Sequence, residues 1–228
     1  MSIPKIIWQT YKDPFDKLPH YIVAPINSWK IKNPDWDHHY MTDPEIYNFV
    51  KEKYGNDWYK IFSECPKGVM RADIWRYLIV YEYGGVYTDV DTRCFKPINK
   101  WIDLNKGFIV CPENNTHFCQ WTFAAEPKSP VLKAVIDLIE ERLKKPDYNN
   151  KHYVHHLTGP GVWTDGIEKA LLAEHKDITS NVGYYNSLPM AKKFNFFCFG
   201  SSVFNNGDVL HLYGSQNWGD GKYVQWIK

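Results

Sequence analysis

An α/β fold built on a central sheet is what this sequence predicts, and three observations carry the prediction. Short apolar runs, too brief for helices, alternate along the chain with longer segments whose apolar residues recur at helical spacing. Glycine, proline or a polar cluster separates these segments. One helix runs through a double glycine into a β-branched stretch closed by two acids, Val86–Tyr87–Thr88–Asp89–Val90–Asp91. Such strand ends are where open α/β sheets bind ligands. With 228 residues and no repeat, low-complexity tract or convincing boundary, the chain reads as a single domain, 1–228.

The elements follow in order. Ile3 to Trp8 is a buried strand, with Gln9 and Thr10 at its C-terminal end. Tyr21 to Lys32 places Ile22, Pro25, Ile26 and Trp29 on one face of a short helix that Asn33–Pro34 stops. A strand near His38–Met41 comes next. Thr42–Asp43–Pro44–Glu45 starts a helix, with Asp43 as cap, Pro44 in the first turn and Glu45 at the positive end of the dipole. Gly55 ends that helix, and Tyr59 to Phe62 is a further helical turn.

A helix over Ala72–Tyr83 carries Ile74, Trp75, Leu78 and Ile79 on one side, and Gly84–Gly85 lets the chain reverse. Phe108–Val110 and Gln120–Ala124 are strand candidates, and Ser129–Pro130 opens a helix to Leu143. Lys144–Lys151 is a polar loop and Thr158–Gly161 a tight turn. Asp165 with Glu168 forms a capping box for a helix to Leu172. A strand at Val209–Leu212 and a glycine-containing loop, Gly214 to Gly221, close the chain.

Bulk properties exclude several classes. A formal net charge of +1 with scattered Lys and Arg implies no nucleic-acid partner. Five cysteines without a C-x-x-C pair argue against zinc and against a disulfide framework. No run of eighteen apolar residues predicts a membrane span, and the N-terminal segment lacks the order of a signal peptide, so a soluble, cytoplasmic protein is expected. The ten Trp and sixteen Tyr suit core packing and sugar or base stacking equally.

The chemistry concentrates in Arg71–Asp91. On a strand Tyr87, Asp89 and Asp91 share one face. Paired acids repel unless a cation sits between them or one binds a proton, and Mg²⁺ or Mn²⁺ favours such oxygen ligands. The spacing Asp-x-Asp alone is weak; Asp35–Trp36–Asp37 repeats it in what reads as a polar turn. Asp73 and Arg76, three apart on a helix, are neighbours; spacing alone makes them a surface salt bridge.

These segments resemble the DXD-containing sugar transferases of glycosyltransferase family 32. The shared pattern is Ile3–Pro4–Lys5–Ile6–Ile7–Trp8–Gln9, then Met41–Thr42–Asp43, then the Arg71–Asp91 block. Thr158–Gly159–Pro160 follows, and finally His211 with Ser215 and Trp218. The family often has His where Trp8 stands, and Ser directly before the late Trp, where this chain has Asn217. More distantly, Asp73-x-x-Arg76 looks like the arrangement in clostridial glucosylating toxins, which carry Trp at the Trp8 position.

The resemblance implies a GT-A fold, a Rossmann-like α/β/α sandwich with a mixed central sheet. It implies a retaining hexosyltransferase of polysaccharide synthesis that uses a UDP- or GDP-sugar, a glycan acceptor and Mn²⁺ or Mg²⁺. It further implies that Asp91 binds the metal, that Asp89 binds metal or ribose, and that His211 completes the shell; a structural His is the alternative. Asp73 would grip the donor sugar and Arg76 the diphosphate. Trp8 would stack on the base or else pack in the core. Gln9 and Thr10 would hydrogen-bond base or ribose, and Arg71 would serve as a second phosphate group or stay solvated. Thr158 and Gly159 would lie near a sugar, and Asn217 with Trp218 would close over the diphosphate. Three rivals are a haloacid-dehalogenase-type phosphatase, disfavoured by Arg93 in its motif, a calcium-binding loop, disfavoured by Arg93 and Cys94 where a ligand and a glycine are needed, and a non-catalytic carbohydrate-binding domain.

Overall fold

In the computed structural model, which describes residues 2–200 and 207–212, the short apolar runs form strands because each strand face is covered. Neighbouring side chains leave for opposite faces. Ile7, Val86, Ile109 and Ala124 enter one core together with Trp29 and Trp101. Their neighbours Trp8, Tyr87, Phe108 and Phe123 enter the other. The outcome is the expected layered α/β arrangement.

The strands are β1 (Ile6–Thr10), β2 (Asp37–Met41), β3 (Gly85–Thr88), β4 (Thr92–Cys94), β5 (Phe108–Val110), β6 (Thr122–Ala125), β7 (Phe196–Cys198) and β8 (Val209–His211). Six make a sheet of order β2-β1-β3-β6-β5-β7. It is mixed: β1 runs parallel to β2 and β3, β6 is antiparallel to β3 and β5, and β7 is parallel to β5. A separate two-stranded ribbon pairs β4 with β8, Thr92 opposite His211.

The helices are α1 (His20–Lys32), α2 (Asp43–Glu64), α3 (Gly68–Tyr83), α4 (Pro130–Leu143), α5 (Tyr153–Leu157), α6 (Pro160–Leu171), α7 (Val182–Ser187) and α8 (Pro189–Lys193). Among the described residues no helix is long and apolar enough to cross a membrane. All five cysteines are free and buried.

Several local expectations need correction. Thr42, not Asp43, caps α2: it forms a reciprocal box with Glu45, whose carboxylate accepts from the Thr42 N–H at 2.7 Å. Gly55, at φ 76°, kinks the chain, and helix resumes directly beyond it. Thr158–Gly161 is no free turn. Thr158 ends α5, Gly159 caps α6 and Pro160 opens it, because proline suits a first helical turn. Asp165 and Glu168 therefore lie inside α6. Asp165 pairs with Arg142 at 2.6 Å, and Glu168 accepts from Tyr185 at 2.7 Å. The short β7, α7 and α8 carry too few residues for periodicity to reveal them.

The α3–β3 junction positions everything downstream. Gly84 and Gly85 sit at φ 68° and 104°. A Cβ at Gly85 would lie 2.6 Å from the Ile6 carbonyl oxygen, on the neighbouring strand. Gly85→Ala should therefore lose about 3 kcal/mol from combined strain and overlap. Urea denaturation checks this, and an unchanged midpoint would contradict the packing.

Candidate functional site

Helix α3 is buried almost all round, and this changes the meaning of its charged pair. Asp73 and Arg76 are 1% and 3% exposed. They form no surface salt bridge of the kind spacing alone suggests. The guanidinium reaches Asp73 at 3.0 Å and Asp89 at 3.3 Å, and donates to the Gln120 carbonyl at 3.2 Å. It also lies over the Tyr87 ring, 4.6 Å from its centroid.

Asp73 in turn accepts from the Thr158 hydroxyl at 3.0 Å and the Gln120 amide at 3.4 Å. Tyr77 holds Gln120 through its own hydroxyl, at 2.7 Å. Gln120 thus links Asp73, Arg76 and Tyr77, a role that no motif announces, since glutamine before a strand is unremarkable in sequence.

Asp89 and Asp91 do not extend β3. The strand stops at Thr88, and both acids occupy the turn into β4. Three threonines clamp that turn: Thr88 bonds Thr92 at 2.6 Å and Thr122 at 2.9 Å, and the Thr92 N–H donates to the Asp89 carbonyl at 3.1 Å. The Tyr87 hydroxyl donates to Asp89 Oδ1.

Because β8 lies along β4, His211 arrives beside Asp91, Nε2 to Oδ1 at 3.6 Å, and the Leu212 N–H donates to the Asp91 carbonyl at 2.9 Å. Ligand atoms of Asp89, Asp91 and His211 all fall within 4.8 Å of one another. Two carboxylates and an imidazole at that separation fit a divalent cation of the harder, first-row kind.

Electrostatics agree with that fit. Burial pushes the Asp73 carboxyl up to about 7, against the pull of Arg76 and Thr158. Burial, reinforced by Asp89, also raises Glu113 to about 7. Burial works against the Arg76 charge, but Asp89, Tyr87 and Asp73 outweigh it and hold the guanidinium protonated. Asp73 and Asp89 contact the Arg76 guanidinium, Glu113 feels its charge, and Asp91 lies beside Asp89 at His211, an excess of acid that a metal ion would relieve.

The other expected residues divide. Gln9 donates to the Asp89 carbonyl at 3.3 Å and bonds the His38 ring at 2.7 Å, so it lies against the turn. Thr10 is occupied at the sheet, its hydroxyl on the Met41 carbonyl at 2.7 Å. Trp8 packs inside: its N–H donates to the Gly84 carbonyl at 2.8 Å and its ring stacks on His39 at 4.6 Å. Arg71 is half-buried; it donates to the Cys65 carbonyl at 2.6 Å and covers the Tyr47 ring. Gly159 sits beside Thr158 at the α5–α6 junction, its N–H on the Val154 carbonyl at 2.8 Å. Ser215, Asn217 and Trp218 lie outside the described residues.

His38 supplies a pH test of how deeply this end of the sheet is buried. Burial first, then Lys30 and His39, depresses its pKa from 6.5 to about 4. A histidine held neutral contributes stability above its unfolded pKa, and that stability is lost as pH falls from about 6.5 towards 4. The loss should reach roughly 2–3 kcal/mol relative to His38→Gln. Raised carboxyls act in the opposite sense and cancel in the difference between the two proteins. Parallel pH–denaturation curves for both would refute the assignment.

Comparison with known proteins agrees with this geometry. Residues 19–108 match the model of the glycosyltransferase sugar-binding region containing a DXD motif. The chain is 34% identical over 193 residues to the initiation-specific α-1,6-mannosyltransferase of Schizosaccharomyces pombe, covering 73% of this chain and 48% of that protein. With the Candida albicans protein of the same name it shares 30% over 200 residues, covering 72% and 52%. With inositol phosphoceramide mannosyltransferase 1 of Schizosaccharomyces pombe it shares 30% over 188 residues, covering 78% and 55%. The chain thus spans about half the length of the curated relatives it matches.

Two solved structures show the fold. One is the PaToxG glycosyltransferase, with TM-score 0.55 and 20% identity, covering 74% of this chain and 70% of that one. The other is the glycosyltransferase domain from the YGT toxin, with TM-score 0.52 and 10% identity, covering 91% and 83%. The mixed sheet and its covering helices are those of a GT-A glycosyltransferase. The chain thus carries the DXD-containing sugar-binding region over residues 19–108 and is similar to the yeast initiation-specific α-1,6-mannosyltransferases.

Proposed function

We propose that this protein is a metal-dependent, retaining hexosyltransferase acting on a nucleotide-diphosphate sugar and a glycan hydroxyl. The observation that carries the reading is the convergence of Asp89, Asp91 and His211 beside the buried Asp73–Arg76 pair. Asp89, Asp91 and His211 would hold the cation. An imidazole in an otherwise oxygen set favours Mn²⁺ over Mg²⁺. When bound, such an ion neutralises the charge that grows on a departing diphosphate.

The chain's own residues do the rest. Arg76 keeps Asp73 and Asp89 oriented and supplies fixed positive charge near the leaving group. Asp73 accepts sugar hydroxyls by exchanging its longest partner, the Gln120 amide. Thr158 holds the remaining Asp73 oxygen in place. In the reaction the bond between the anomeric carbon and the phosphate oxygen breaks. The acceptor oxygen bonds to that carbon on the same face, and its proton passes to the departing phosphate, so no side-chain base is needed.

The curated relatives are named mannosyltransferases, which makes mannose the first sugar to test. The decisive experiment is a hydrolysis and transfer screen of UDP- and GDP-sugars with Mn²⁺, with EDTA as control. Activity insensitive to EDTA would remove the metal. Product NMR that shows a β-linkage made from an α-linked donor would remove retention. No observation favours the phosphatase or the non-catalytic module.

A further inference from the structure

Glu113 has no part in any motif of the sequence, yet the fold turns it towards the acids. It follows β5 at the mouth of a tight hairpin, where Pro112 pairs with Phe118. The hairpin closes on its own backbone. The Glu113 and Asn114 N–H groups donate to the His117 carbonyl at 2.9 and 3.3 Å. Asn114 Oδ1 accepts from the Thr116 and His117 N–H groups at 2.8 and 2.9 Å. None of these bonds uses the Glu113 carboxyl.

Its Oε2 atom is buried and, among the described residues, has no hydrogen-bond partner. The buried Glu168 is by contrast fully engaged by Tyr185 and His175. The charges that act on the Glu113 carboxyl are Asp89 and Arg76, the centre of the candidate site. A buried, unpaired carboxyl oxygen is rare in a folded protein and calls for a ligand group.

We propose that Glu113 is a further substrate-binding residue, whose free carboxyl oxygen pairs with a hydroxyl of the sugar ring carried by the donor. This rests on the transferase reading given above. A hydroxyl both donates and accepts, so it satisfies the carboxyl whether or not that group carries a proton. A phosphate has no proton to offer at neutral pH and would be repelled by the neighbouring acids. The hairpin's internal bonds fix the Glu113 backbone, which limits where the carboxyl can reach and so favours some hydroxyl configurations over others.

The test compares two ligands by calorimetry in Mn²⁺: the nucleotide-sugar that the wild-type protein hydrolyses in the screen, starting with GDP-mannose, and the matching nucleoside diphosphate. Glu113→Ala should weaken the nucleotide-sugar by about tenfold or more and leave the nucleoside diphosphate unchanged. Glu113→Gln, which keeps an acceptor and a donor, should lose less. The thermal midpoint of Glu113→Ala should hold or rise, since an unpaired buried group has been removed. A donor analogue lacking the contacted hydroxyl should bind wild type and Glu113→Ala alike.

Equal weakening of both ligands, or of neither, overturns the proposal. If Glu113→Ala does not fold, the same ratio is read from Glu113→Gln. Failure of the wild-type protein to bind or hydrolyse any nucleotide-sugar is a different result, and would remove the transferase reading together with this one.

Discussion

Asp91→Asn should lower sugar transfer about a thousandfold while leaving the metal-free protein folded. Asp91 shares its turn with Asp89 and lies 3.6 Å from His211, so removing its charge takes one of three ligands from the cation site. Losing a single preorganised group that stabilises leaving-group charge commonly lowers turnover by 10²–10³, and loss of the metal adds to that.

Stability separates this effect from misfolding. In EDTA, neutralising one of several clustered acids relieves like-charge repulsion, so the midpoint should hold or rise. In Mn²⁺ the wild-type protein should gain about 2.7 kcal/mol at a hundredfold excess over Kd, and the variant should gain little. His211→Ala should show the same pattern in milder form, because both carboxylates remain. A variant that keeps full turnover and full Mn²⁺ stabilisation would sink the metal assignment.

Arg76→Ala should lose about 3–5 kcal/mol of folding stability, the usual consequence of stripping the counter-charge from buried acids. Both partners of the Asp73–Arg76 bridge are nearly inaccessible, with side chains 1% and 4% exposed. Removing Arg76 strands Asp73 in a low-dielectric site with, among the described residues, the Thr158 hydroxyl and the Gln120 amide as its remaining partners. Asp89 also loses its 3.3 Å contact.

Arg76→Lys should recover little, because an ammonium cannot fork between two carboxylates and the Gln120 carbonyl. The double variant Asp73→Asn with Arg76→Ala should be more stable than Arg76→Ala alone, since the stranded charge is gone. Urea denaturation measures all three. A loss below about 1 kcal/mol for Arg76→Ala would mean that solvent reaches the pair after all.

Some features are legible in the sequence because they are local. The α4 boundaries, Pro130–Leu143, follow from a proline start and apolar spacing, and β5 matches Phe108–Val110. The capping residue of α2 is off by one. Thr42 and Asp43 are both good caps, and only the reciprocal bond to Glu45 separates them. The turn at Asp89–Asp91 escapes a strand pattern because β-branched alternation continues past the point where β3 loses its partner strand. Pairing with β6 ends at Thr88–Thr122.

What the sequence by itself determined is the type of molecule: an α/β chain with a double aspartate following a helix and two glycines. Residue spacing and turn chemistry suffice for that, since they act over a few residues. Only the tertiary structure decided that Asp73 and Arg76 are interior, that His211 meets Asp91 through β4 and β8, and that the half-buried Glu113 has one inaccessible oxygen without a partner among the described residues. Burial and long-range hydrogen bonds arise from packing between distant segments, and no periodicity in a single chain encodes which distant segments will meet.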